Sequence, residues 1–367
     1  RLLLPQPASL FAARALRLAE LGLFSATPNP RVGCVLVNAG GIVGEGWHRK
    51  AGEAHAEIHA LQAAGALAHG ASAYVTLEPC SHQGRTPPCA DVLIQAGVTR
   101  VVAAMQDPNP QVAGQGLARL RAAGVSTECG LLEISARELN CGFIARMTRG
   151  LSWVRLKVAA SLDGKTALDN GTSQWLTGPS ARQDTHRWRA RACAILSGSG
   201  TVRADDPQLS VRDVATARQP LKVIVDRHLS LSPEARLLSG GAVLVATTSI
   251  GGEQAPRAEA LRRRGAEIIA LPGAGGAVDL PALLRELAQR GVNELHVEAG
   301  AGLNGALLAA GLVDEVLIYL APCLVGRAVH GLFNAPLLQS LSDAARLHIR
   351  DLRMVGADVR ILATVEK

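Results

Sequence analysis

Four residues in the first half of the chain have the types and spacing of a catalytic metal site. His55 and Glu57 form a His-x-Glu pair, and Cys80 and Cys89 lie in the stretch EPCSHQGRTPPC. Neutral imidazole and thiolate are good zinc ligands, and three protein ligands leave the fourth tetrahedral position open for water. Zinc lowers the pKa of that water to about 7, and a carboxylate that is not a ligand, here Glu57, then moves the proton. A disulfide and a closed structural metal site are the alternatives for the two cysteines.

Helix geometry restricts how these residues can meet. Two positions of a regular helix differ by about 200° of rotation, so His55 and Glu57 cannot share a face inside one. They converge on one metal if His55 stands at the entry of the predicted helix HAEIHALQAAG, before regular dihedral angles begin. Cys89 follows Pro88, and proline favours the first helical turn. A cysteine there has its thiolate stabilised by the helix dipole and by free N–H groups.

A His-x-Glu pair followed by Pro-Cys-x-x-Cys is the signature of zinc nucleobase deaminases. This chain matches the first part and departs from the second, because eight residues separate its two cysteines. Taken singly, such a pair is more often a helix start with a surface glutamate, and two such cysteines are more often unrelated. Their joint occurrence favours the zinc site. The other cysteines are predicted to be small buried hydrophobic residues: Cys34, Cys129, Cys141, Cys193 and Cys323.

Longer stretches around these residues resemble a known family. TPNPRVGCVLV, GEGWHRKAGEAHAE and VTLEPCSHQGRTPPCADVLIQAGVTRVVAAMQDPNPQVAGQG are similar to the deaminase half of the bifunctional riboflavin-biosynthesis deaminase/reductases. In that family the longer loop between the cysteines is usual. The resemblance implies a cytidine-deaminase-like fold and hydrolytic removal of the 2-amino group of 2,5-diamino-6-(5-phosphoribosylamino)pyrimidin-4(3H)-one. It also implies roles for individual residues: His55, Cys80 and Cys89 as zinc ligands, Glu57 as proton shuttle, and Asn29, His82, Arg85 and Thr86 around the substrate.

A glycine-rich turn marks the second half of the chain. Gly300-Ala-Gly302-Leu-Asn-Gly305 is a literal G-x-G-x-x-G between a predicted strand and a predicted helix, as in dinucleotide-binding folds. An ordinary Rossmann domain is disfavoured, because the motif comes late in its half. In addition, the strand EVLIYLAP ends without an acidic residue for the ribose of NAD. A simple strand-to-helix turn is the alternative.

The stretches VRLKVAASLDGKTA, SQWLTG, TVRADDPQLSVR and VEAGAGLNGALLAAGLVDEVLIYLAP resemble the reductase half of the same family, whose fold is like dihydrofolate reductase. The resemblance implies NADPH-dependent reduction of the phosphoribosyl side chain to ribityl phosphate, with hydride delivered to C1 of the opened sugar. It implies two sets of contacts: to NADPH from Ala159, Trp175, Thr201, Asp205 and the loop Gly300, Ala301, Gly302, Leu303, Asn304, Gly305 and Ala306, and to substrate from Ser173, Arg189, Leu209, Arg212 and Glu298.

The acid of the reductase half is left open by the sequence. Lys157, Asp163 and Lys165 lie in its first strand and turn, so each is a candidate for proton delivery to the opened sugar. Asp163-Gly164 is also typical of a tight turn, which is the favoured interpretation of that pair. Arginines suit the substrate phosphate, because the planar guanidinium bonds it in two places.

The elements that position these residues alternate between helix and strand. A helix over SLFAARALRLAELG, with Ser9 as its N-cap, precedes a hairpin of GCVLV and IVGEGW. The pattern breaks around residues 141–153, which predicts a domain boundary near Gly150. Residues 1–149 are interpreted as a zinc-dependent pyrimidine deaminase domain, a helix-covered mixed sheet, and residues 150–367 as an NADPH-dependent reductase domain of α/β class. The stretches 250–257 and 272–277 are predicted loops.

Composition restricts the possible partners. Apolar residues make up 48% and charged residues 19% of the 367 residues, which indicates full-sized cores and no disorder. The formal charge of +7 fits a phosphorylated pyrimidine substrate, whereas aromatics at 3% give little support to a deaminase of nucleic-acid bases. A structural-zinc binding module would need a fourth Cys or His ligand.

The remaining expectations concern location and assembly. Seven scattered cysteines and no signal-peptide pattern favour a reducing cytoplasm. No apolar run is long enough for a membrane span. We expect no nucleic-acid or membrane partner. By analogy, we expect a homo-oligomer, a dimer or a tetramer, that pairs through the second domain.

Overall fold

The computed structural model describes residues 7–82, 87–327, 330–334 and 339–366. The chain divides into two compact units, one up to Gly150 and one from Leu151. Each unit has its own sheet and its own buried core. Within the described ranges, no helix is both long enough and apolar enough to cross a membrane.

The first unit is a five-stranded mixed sheet covered by helices, with the strand order β2-β1-β3-β4-β5. Its elements are α1 (Pro7–Glu20), β1 (Gly33–Asn38), β2 (Gly41–Trp47), α2 (Ala56–Ala64), β3 (Ser72–Val75), α3 (Cys89–Gln95), β4 (Arg100–Ala103), α4 (Gln115–Ala122), β5 (Ser126–Cys129), α5 (Glu133–Leu139) and α6 (Cys141–Arg149). β1 pairs antiparallel with β2 and with β3, whereas β3, β4 and β5 run parallel. The helices α2 and α3 therefore begin at connections that lead from β2 and β3, the two strands that flank β1.

One sequence-based expectation for the first unit is wrong in detail, and one helix was not anticipated. Ser9 is not the N-cap of α1, because the helix already begins at Pro7, and proline is well suited to a first helical turn. The segment where the pattern breaks contains the helix α6, in which only Gly142 and Ala145 are buried. Such small buried residues give no apolar periodicity that a sequence pattern could reveal.

The second unit is built on a nine-stranded sheet with the order β10-β9-β8-β7-β11-β6-β12-β14-β13. Its elements are β6 (Trp153–Ser161), α7 (Pro179–Arg191), β7 (Ala194–Gly198), α8 (Ser199–Asp205), β8 (Leu221–Val225), β9 (Val243–Thr247), α9 (Ala255–Arg263), β10 (Ala266–Ala270), α10 (Leu280–Gln289), β11 (Glu294–Val297), α11 (Ala301–Ala309), β12 (Glu315–Ala321), β13 (Leu347–Val355) and β14 (Asp358–Val365). Strands β6 to β12 are parallel, and β14 and β13 add an antiparallel hairpin at one side. The carboxyl ends of the parallel strands meet at one edge, where ligands bind in open α/β sheets.

The two faces of this sheet differ in chemistry. Leu156 and Val158 of β6 face a large apolar core with leucines of α10 and α11. On the other face Arg155 is fully buried and forms ion pairs with Glu294 and Glu315. Helix α7 covers this polar face, and the Arg155 guanidinium lies 4.6 Å from the centre of the Trp188 ring. Under α7 the second face is held by paired charges stacked on an aromatic ring. Over β7 to β10 a separate apolar core, with Ile195, Ile224 and Val245, covers the same face.

The stretch 250–257 is not wholly a loop, because α9 begins within it at Ala255, with Pro256 in its first turn. The stretch 272–277 likewise contains a short 3₁₀ turn at Ala274–Gly276. Both stretches are rich in glycine or proline, residues that also occur at helix starts.

Candidate active sites

His55 stands at the entry of α2, as helix geometry required. Its backbone is extended, with φ −74° and ψ 166°, and the regular helix begins at Ala56. Glu57 lies in the first turn of the helix and is only 3% exposed. The prediction that His55 precedes the regular dihedral angles is confirmed, and this is what lets both side chains of the His-x-Glu pair point into one site.

Cys80 and Cys89 reach the same place from a loop and from a helix start. Cys80 lies in the connection after β3, and Cys89 is the first residue of α3, with Pro88 as the N-cap. The backbone N–H of Cys89 donates a hydrogen bond to Cys80 Sγ at 3.2 Å. Both thiols are free, so the structure has no disulfide between them.

The three predicted ligand side chains have the spacing of a tetrahedral metal site. His55 Nδ1 lies 3.2 Å from Cys89 Sγ and 3.7 Å from Cys80 Sγ. Zn–N and Zn–S bonds of about 2.1 and 2.3 Å place tetrahedral ligand atoms roughly 3.5–3.8 Å apart, close to these values. All the ligand atoms of this group lie within 4.8 Å of one another. The imidazole and two thiols therefore fit zinc, and in the described part of the chain this group contains three ligands, not four.

The electrostatics of the group favour thiolate at one cysteine. Hydrogen bonds from Cys89, and then from His55, lower the pKa of Cys80 to about 4 against the effect of burial. The pKa of Cys89 is raised, because its thiol hydrogen-bonds to Cys80 and is buried. Burial raises the pKa of Glu57, while the nearby His55 lowers it. Glu57 is thus a buried carboxyl group close enough to His55 and Cys89 to interact with them electrostatically, and it is not part of the three-ligand group.

His48 fixes the orientation of Asn29, the predicted ring contact. His48 is 3% exposed, and its Nδ1 lies 3.1 Å from the carbonyl oxygen of Ala54. A carbonyl can only accept, so Nδ1 carries the proton and Nε2 is an acceptor. Asn29 Nδ2 lies 3.0 Å from that Nε2 and therefore donates to it. The Asn29 side chain keeps its carbonyl oxygen, and the second N–H of its amide, to offer a ligand.

Two carboxylates near the site were not identified from the sequence. Glu78, directly before Pro79-Cys80, is 4% exposed and accepts hydrogen bonds from the backbone N–H groups of Asp107, Gly114 and Leu117. It therefore ties the Cys80 loop to the segment after β4. Burial raises the pKa of Asp107, and Cys80 and His82 are among the groups that act on it. The sequence feature that could have identified Glu78 is its position between a strand and the Pro-Cys pair.

The other predicted residues of the deaminase site lie on the loop between the cysteines. His82 is exposed. Arg85 and Thr86 fall outside the described residues.

In the second unit, three predicted residues form one polar cluster at the carboxyl edge of the sheet. Arg189 of α7 makes a bidentate ion pair with Glu298, in which Nε and Nη2 donate to the two carboxylate oxygens at 2.5 and 2.8 Å. Its Nη1 also donates to the carbonyl oxygen of Ser210 at 3.0 Å. Arg189 holds the pKa of Glu298 well below its usual range, against the effect of burial. Burial lowers the pKa of Lys157, on which the charges of Glu298 and Arg189 act in opposite directions.

The glycine-rich segment is a helix from its second residue, not the loop expected from the sequence. Gly300 is the N-cap, and α11 runs from Ala301 through Ala309, because alanine and leucine are strong helix formers. A methyl group added to Gly305 would lie 2.1 Å from the backbone oxygen of Asn334, whereas one added to Gly302 would meet nothing within 4 Å. Gly305 therefore serves close packing within the unit, and Gly302 leaves the exposed side of the first turn open.

Thr201 lies beside the start of α11. It belongs to α8, which follows β7, and β7 pairs with β11, which precedes α11. A methyl group added to Gly300 would lie 3.6 Å from Thr201 Oγ1. The starts of two helices thus lie side by side at the carboxyl edge of the sheet, and Asn304 behind them is 2% exposed and bonds the backbone oxygens of Ala299 and Leu332.

The remaining predicted reductase residues are more scattered. Ala159 lies in β6 opposite Tyr319, and Leu209 is 2% exposed, one residue before the Ser210 carbonyl that Arg189 bonds. Arg212 is exposed; its backbone N–H donates to His186. Asp205 is exposed at the end of α8. Ser173 and Trp175 lie between β6 and α7, where Trp175 is 70% exposed with the Arg182 guanidinium 4.7 Å from its ring centre.

Asp163 belongs to a turn, as its sequence favoured. Its carboxylate accepts hydrogen bonds from the Ser161 hydroxyl and from the backbone N–H groups of Val325 and Gly326, which lower its pKa to about 2. Gly164 has φ +76°, in the left-handed region that favours glycine. A carboxylate with these partners stays ionised and is poorly suited to donate a proton.

Both halves of the chain match family models that agree with this geometry. Residues 5–105 match the cytidine and deoxycytidylate deaminase zinc-binding region, and residues 152–361 match the RibD C-terminal domain. The fold and sites thus define a two-part enzyme, with a zinc-type deaminase unit followed by a dihydrofolate-reductase-like unit.

The individual relatives identify the family. The chain is 48% identical over 362 residues to the riboflavin biosynthesis protein RibD of Escherichia coli (strain K12), covering 95% of this chain and 97% of the relative, and 47% identical to that of Haemophilus influenzae, covering 96% of both. The structure is similar to Acinetobacter baumannii RibD, with a TM-score of 0.90, 41% identity, and coverage of 98% and 99% of the two chains. The chain belongs to the RibD family of riboflavin biosynthesis proteins, which join a deaminase, a hydrolase, to a reductase, an oxidoreductase.

Proposed function

We propose that the first unit removes, by hydrolysis, the 2-amino group of 2,5-diamino-6-(5-phosphoribosylamino)pyrimidin-4(3H)-one, and that the second reduces the product's ribosyl side chain to ribityl phosphate with NADPH. A similar Thermotoga maritima structure, with a TM-score of 0.86 and 32% identity, is described as a diaminohydroxyphosphoribosylaminopyrimidine deaminase/5-amino-6-(5-phosphoribosylamino)uracil reductase. The observation that carries the proposal is the convergence of His55, Cys80 and Cys89 beside a buried glutamate.

In the deaminase unit, His55, Cys80 and Cys89 would hold zinc, which when bound supplies a Lewis acid that makes hydroxide available near neutral pH. Glu57 accepts the proton that water releases as it attacks the ring carbon, and delivers it to the departing amino group, which leaves as ammonia. Asn29 accepts a hydrogen bond from an N–H group of the pyrimidine through its carbonyl oxygen, whose position is fixed because His48 binds the amide nitrogen. His82 and Arg85 contact the substrate from the loop between the cysteines.

In the reductase unit, the starts of α8 and α11 bind the cofactor. Thr201, in the first turn of α8, and the first turn of α11, with its open side at Gly302, lie along the edge where a dinucleotide phosphate finds free backbone N–H groups. Asp205, at the end of α8, is a further contact to the cofactor. Ala159 and Trp175 complete the cofactor site. NADPH, when bound there, supplies hydride.

The substrate of the second reaction lies against Ser173, Arg189, Leu209, Arg212 and Glu298. We assign the acid to Lys157, which lies within electrostatic reach of Glu298 and Arg189, whereas Asp163 is committed to its turn. As the C1–O bond of the sugar ring breaks, Lys157 donates a proton to the departing ring oxygen. Hydride then adds to C1, so that the side chain gains one hydride and one proton.

The cysteines also support a location. All seven are free, and two of them must stay reduced to serve as ligands, so we place both reactions in a reducing compartment such as the cytoplasm.

The substrate assignment is tested with the full-length protein loaded with zinc. We expect ammonia release from the diaminopyrimidine phosphoriboside without NADPH, and NADPH oxidation once the deaminated product is present. Cytidine and deoxycytidylate serve as control substrates, because the matched zinc-binding region is named for enzymes that act on them. Deamination of these two, but not of the diaminopyrimidine, would contradict the proposal.

A further inference from the structure

Asn140 stands at the joint between two helices of the first unit and caps neither with its side chain. It follows the last residue of α5 and precedes the first residue of α6. Asparagine is a preferred residue before a helix, because its side-chain oxygen accepts a hydrogen bond from the first turn. The Asn140 side chain makes no such bond to α6, a helix whose residues are all described, although it is 2% exposed. Its amide is directed to another part of the unit.

The Asn140 amide pairs with the backbone of Arg31, 109 residues earlier in the chain. Asn140 Oδ1 accepts from the Arg31 N–H at 2.8 Å, and Asn140 Nδ2 donates to the Arg31 carbonyl oxygen at 2.9 Å. A backbone N–H can only donate and a carbonyl can only accept, so these partners fix which side-chain atom is which. Two residues of an antiparallel sheet exchange the same pair of hydrogen bonds. The side chain thus takes the place of a neighbouring strand.

The loop that contains Arg31 has few backbone donors of its own. It reads Thr-Pro-Asn-Pro-Arg over residues 27–31, and its two prolines, Pro28 and Pro30, carry no backbone N–H. The N–H of Asn29 bonds the carbonyl oxygen of Ala26 at 3.0 Å. The N–H of Arg31 is the one that Asn140 binds. The loop therefore depends on side chains from elsewhere to fix its backbone.

Two arginines tie the same loop to α5 and α6. Arg31 Nη1 donates to the carbonyl oxygen of Leu139, the last residue of α5, at 2.7 Å. A cation at that position also complements the negative end of the helix dipole. From α6, Arg146 Nη2 donates to the carbonyl oxygen of Pro28 at 3.2 Å. The contacts at Pro28 and Arg31 hold the loop on both sides of Asn29.

We propose that Asn140 is a positioning residue of the deaminase reaction, which acts through Asn29. The inference rests on the proposed contact between Asn29 and the pyrimidine ring. His48 orients the Asn29 side chain, and Asn140 fixes the backbone two residues further on. Without the Asn140 amide, the carbonyl oxygen of Asn29 is no longer held where the ring N–H needs an acceptor.

The proposal gives a function to a segment that neither family match covers. The zinc-binding region matches residues 5–105, and the second match begins at residue 152. Helices α5 and α6 lie between these matches. Their joint at Asn140 makes them part of the support of the deaminase site.

A positioning role and a purely structural role predict different kinetics. A structural defect lowers the amount of active enzyme, which reduces the apparent kcat and leaves KM unchanged. A misplaced Asn29 weakens a bond that already forms in the bound substrate, which raises KM. In addition, two residues that act as one unit have non-additive effects, whereas independent defects add.

The experiment measures ammonia release from the diaminopyrimidine phosphoriboside by the zinc-loaded full chain. Asn140→Ala is expected to lower kcat/KM about 10- to 100-fold, mainly through KM, because one hydrogen bond to the substrate is lost. In an Asn29→Ala background the same change should cost at most about twofold. Zinc content and NADPH oxidation with deaminated substrate should stay at the wild-type level. Asn38→Ala is the matched control, since Asn38 also bonds two backbone oxygens of this unit, and it should keep the wild-type kcat/KM.

Three results would overturn the proposal: wild-type kinetics in Asn140→Ala, a loss confined to kcat, or an equal loss with and without the Asn29 side chain. If Asn140→Ala does not fold, Asn140→Asp, which keeps the acceptor for the Arg31 N–H, takes its place in the same comparison. A wild type that releases no ammonia would contradict the proposed function instead. Hydrogen exchange then decides the inference: the Arg31 amide should exchange at least about tenfold faster in the variant, and an equal rate would refute the hold on the loop.

Discussion

At the residue scale, a chain of two hydrogen bonds runs from the Ala54 carbonyl through His48 to Asn29, and no short motif contains it. The Ala54 carbonyl accepts a hydrogen bond from His48 Nδ1, so the proton of the neutral imidazole is on Nδ1. His48 Nε2 is therefore the acceptor for Asn29. Replacement of a group that orients another has an effect on rate without direct contact with the reacting atoms. The relay connects the β2 end, the Asn-Pro loop and the entry of α2.

We predict that His48→Phe lowers kcat/KM of the deaminase about 10- to 100-fold, the effect of losing one buried hydrogen bond worth about 1–3 kcal/mol. The amide of Asn29 would then be free to flip. His48→Gln keeps an acceptor and should recover part of the loss. The measurement is ammonia release, and NADPH oxidation with deaminated substrate serves as the internal control. An unchanged deaminase rate in His48→Phe would show that the relay has no role.

The lowered pKa of Lys157 predicts how the reductase rate depends on pH. Burial lowers its pKa below the usual lysine range, and only its protonated form can act as an acid. The reductase rate should therefore be full below that lowered pKa and fall as pH rises through it. Lys157→Met should reduce the rate about 10²–10⁴-fold and abolish this limb of the profile. Lys165→Met is the matched control, and an equal loss in both variants would contradict the assignment.

The ligand residues were predictable because their chemistry is local. His-x-Glu at a helix entry and Pro-Cys at a helix start carry their own geometric restrictions, and the structure places both as expected. The roles of His48 and Glu78 depend on hydrogen bonds to distant backbone groups, which spacing along the chain does not encode.

At the element scale, two glycines of α11 have different surroundings, one packed against backbone and one in open space. Gly305 touches the backbone of Asn334, whereas Gly302 is exposed with open space around it. The G-x-G-x-x-G pattern alone cannot show which glycine is required for packing and which lies in open space. It also could not show that the segment is helical from Ala301.

The variants Gly305→Ala and Gly302→Ala are expected to change the free energy of unfolding in opposite directions. Gly305→Ala should lower the free energy of unfolding by about 1–3 kcal/mol, because the added methyl group collides with backbone. Gly302→Ala should raise it by about 0.5–1 kcal/mol through helix propensity, while weakening NADPH binding if a phosphate approaches there. Chemical denaturation and NADPH titration measure the two effects. Equal affinity for NADPH in wild type and Gly302→Ala would remove Gly302 from the cofactor site.

Helices α6 and α7 show why some elements escaped prediction. The sequence PSARQDTHRWRAR has no apolar stripe, because α7 packs on a face of the sheet built from Arg155, Glu294 and Glu315. A helix whose partners are charges and a stacked Trp188 is indistinguishable by periodicity from an exposed one. The parallel strands β7, β8 and β9, by contrast, are nearly continuous apolar runs, the pattern that predicts buried strands.

At the scale of the whole molecule, each unit has its own core and its own proposed ligand. A ligand that binds only the folded state stabilises the unit that contains its site. Zinc should therefore stabilise the first unit alone, since all three of its proposed ligands lie there.

Calorimetry of the full chain should show two transitions, one of which responds to metal. Removal of zinc with a chelator should lower one melting temperature by roughly 10 °C, and addition of NADPH should raise only the other. Cys89→Ser should reproduce the chelator effect without chelator and abolish zinc binding in a metal assay. A single transition that shifts with both ligands would contradict independent units.

Division of the chain into two units was accessible from the sequence, because the strand and helix pattern restarts after Gly150. The hairpin of β13 and β14 was not, since its apolar residues follow a 2-3-2 spacing that only a bulge converts into one face. Long-range pairing of this kind is set by the folded sheet and leaves no regular period in the chain.

The central claim is that one chain carries two separate reactions, with Glu57 serving only the first. The most direct measurement compares wild type, Glu57→Gln and the exposed-site control Glu53→Gln, with ammonia release and NADPH oxidation followed separately. Glu57→Gln is predicted to lose ammonia release by about 10²–10⁴-fold while reducing supplied deaminated substrate at the wild-type rate. Loss of both activities with unchanged circular dichroism, or ammonia release at the wild-type rate, would contradict the account.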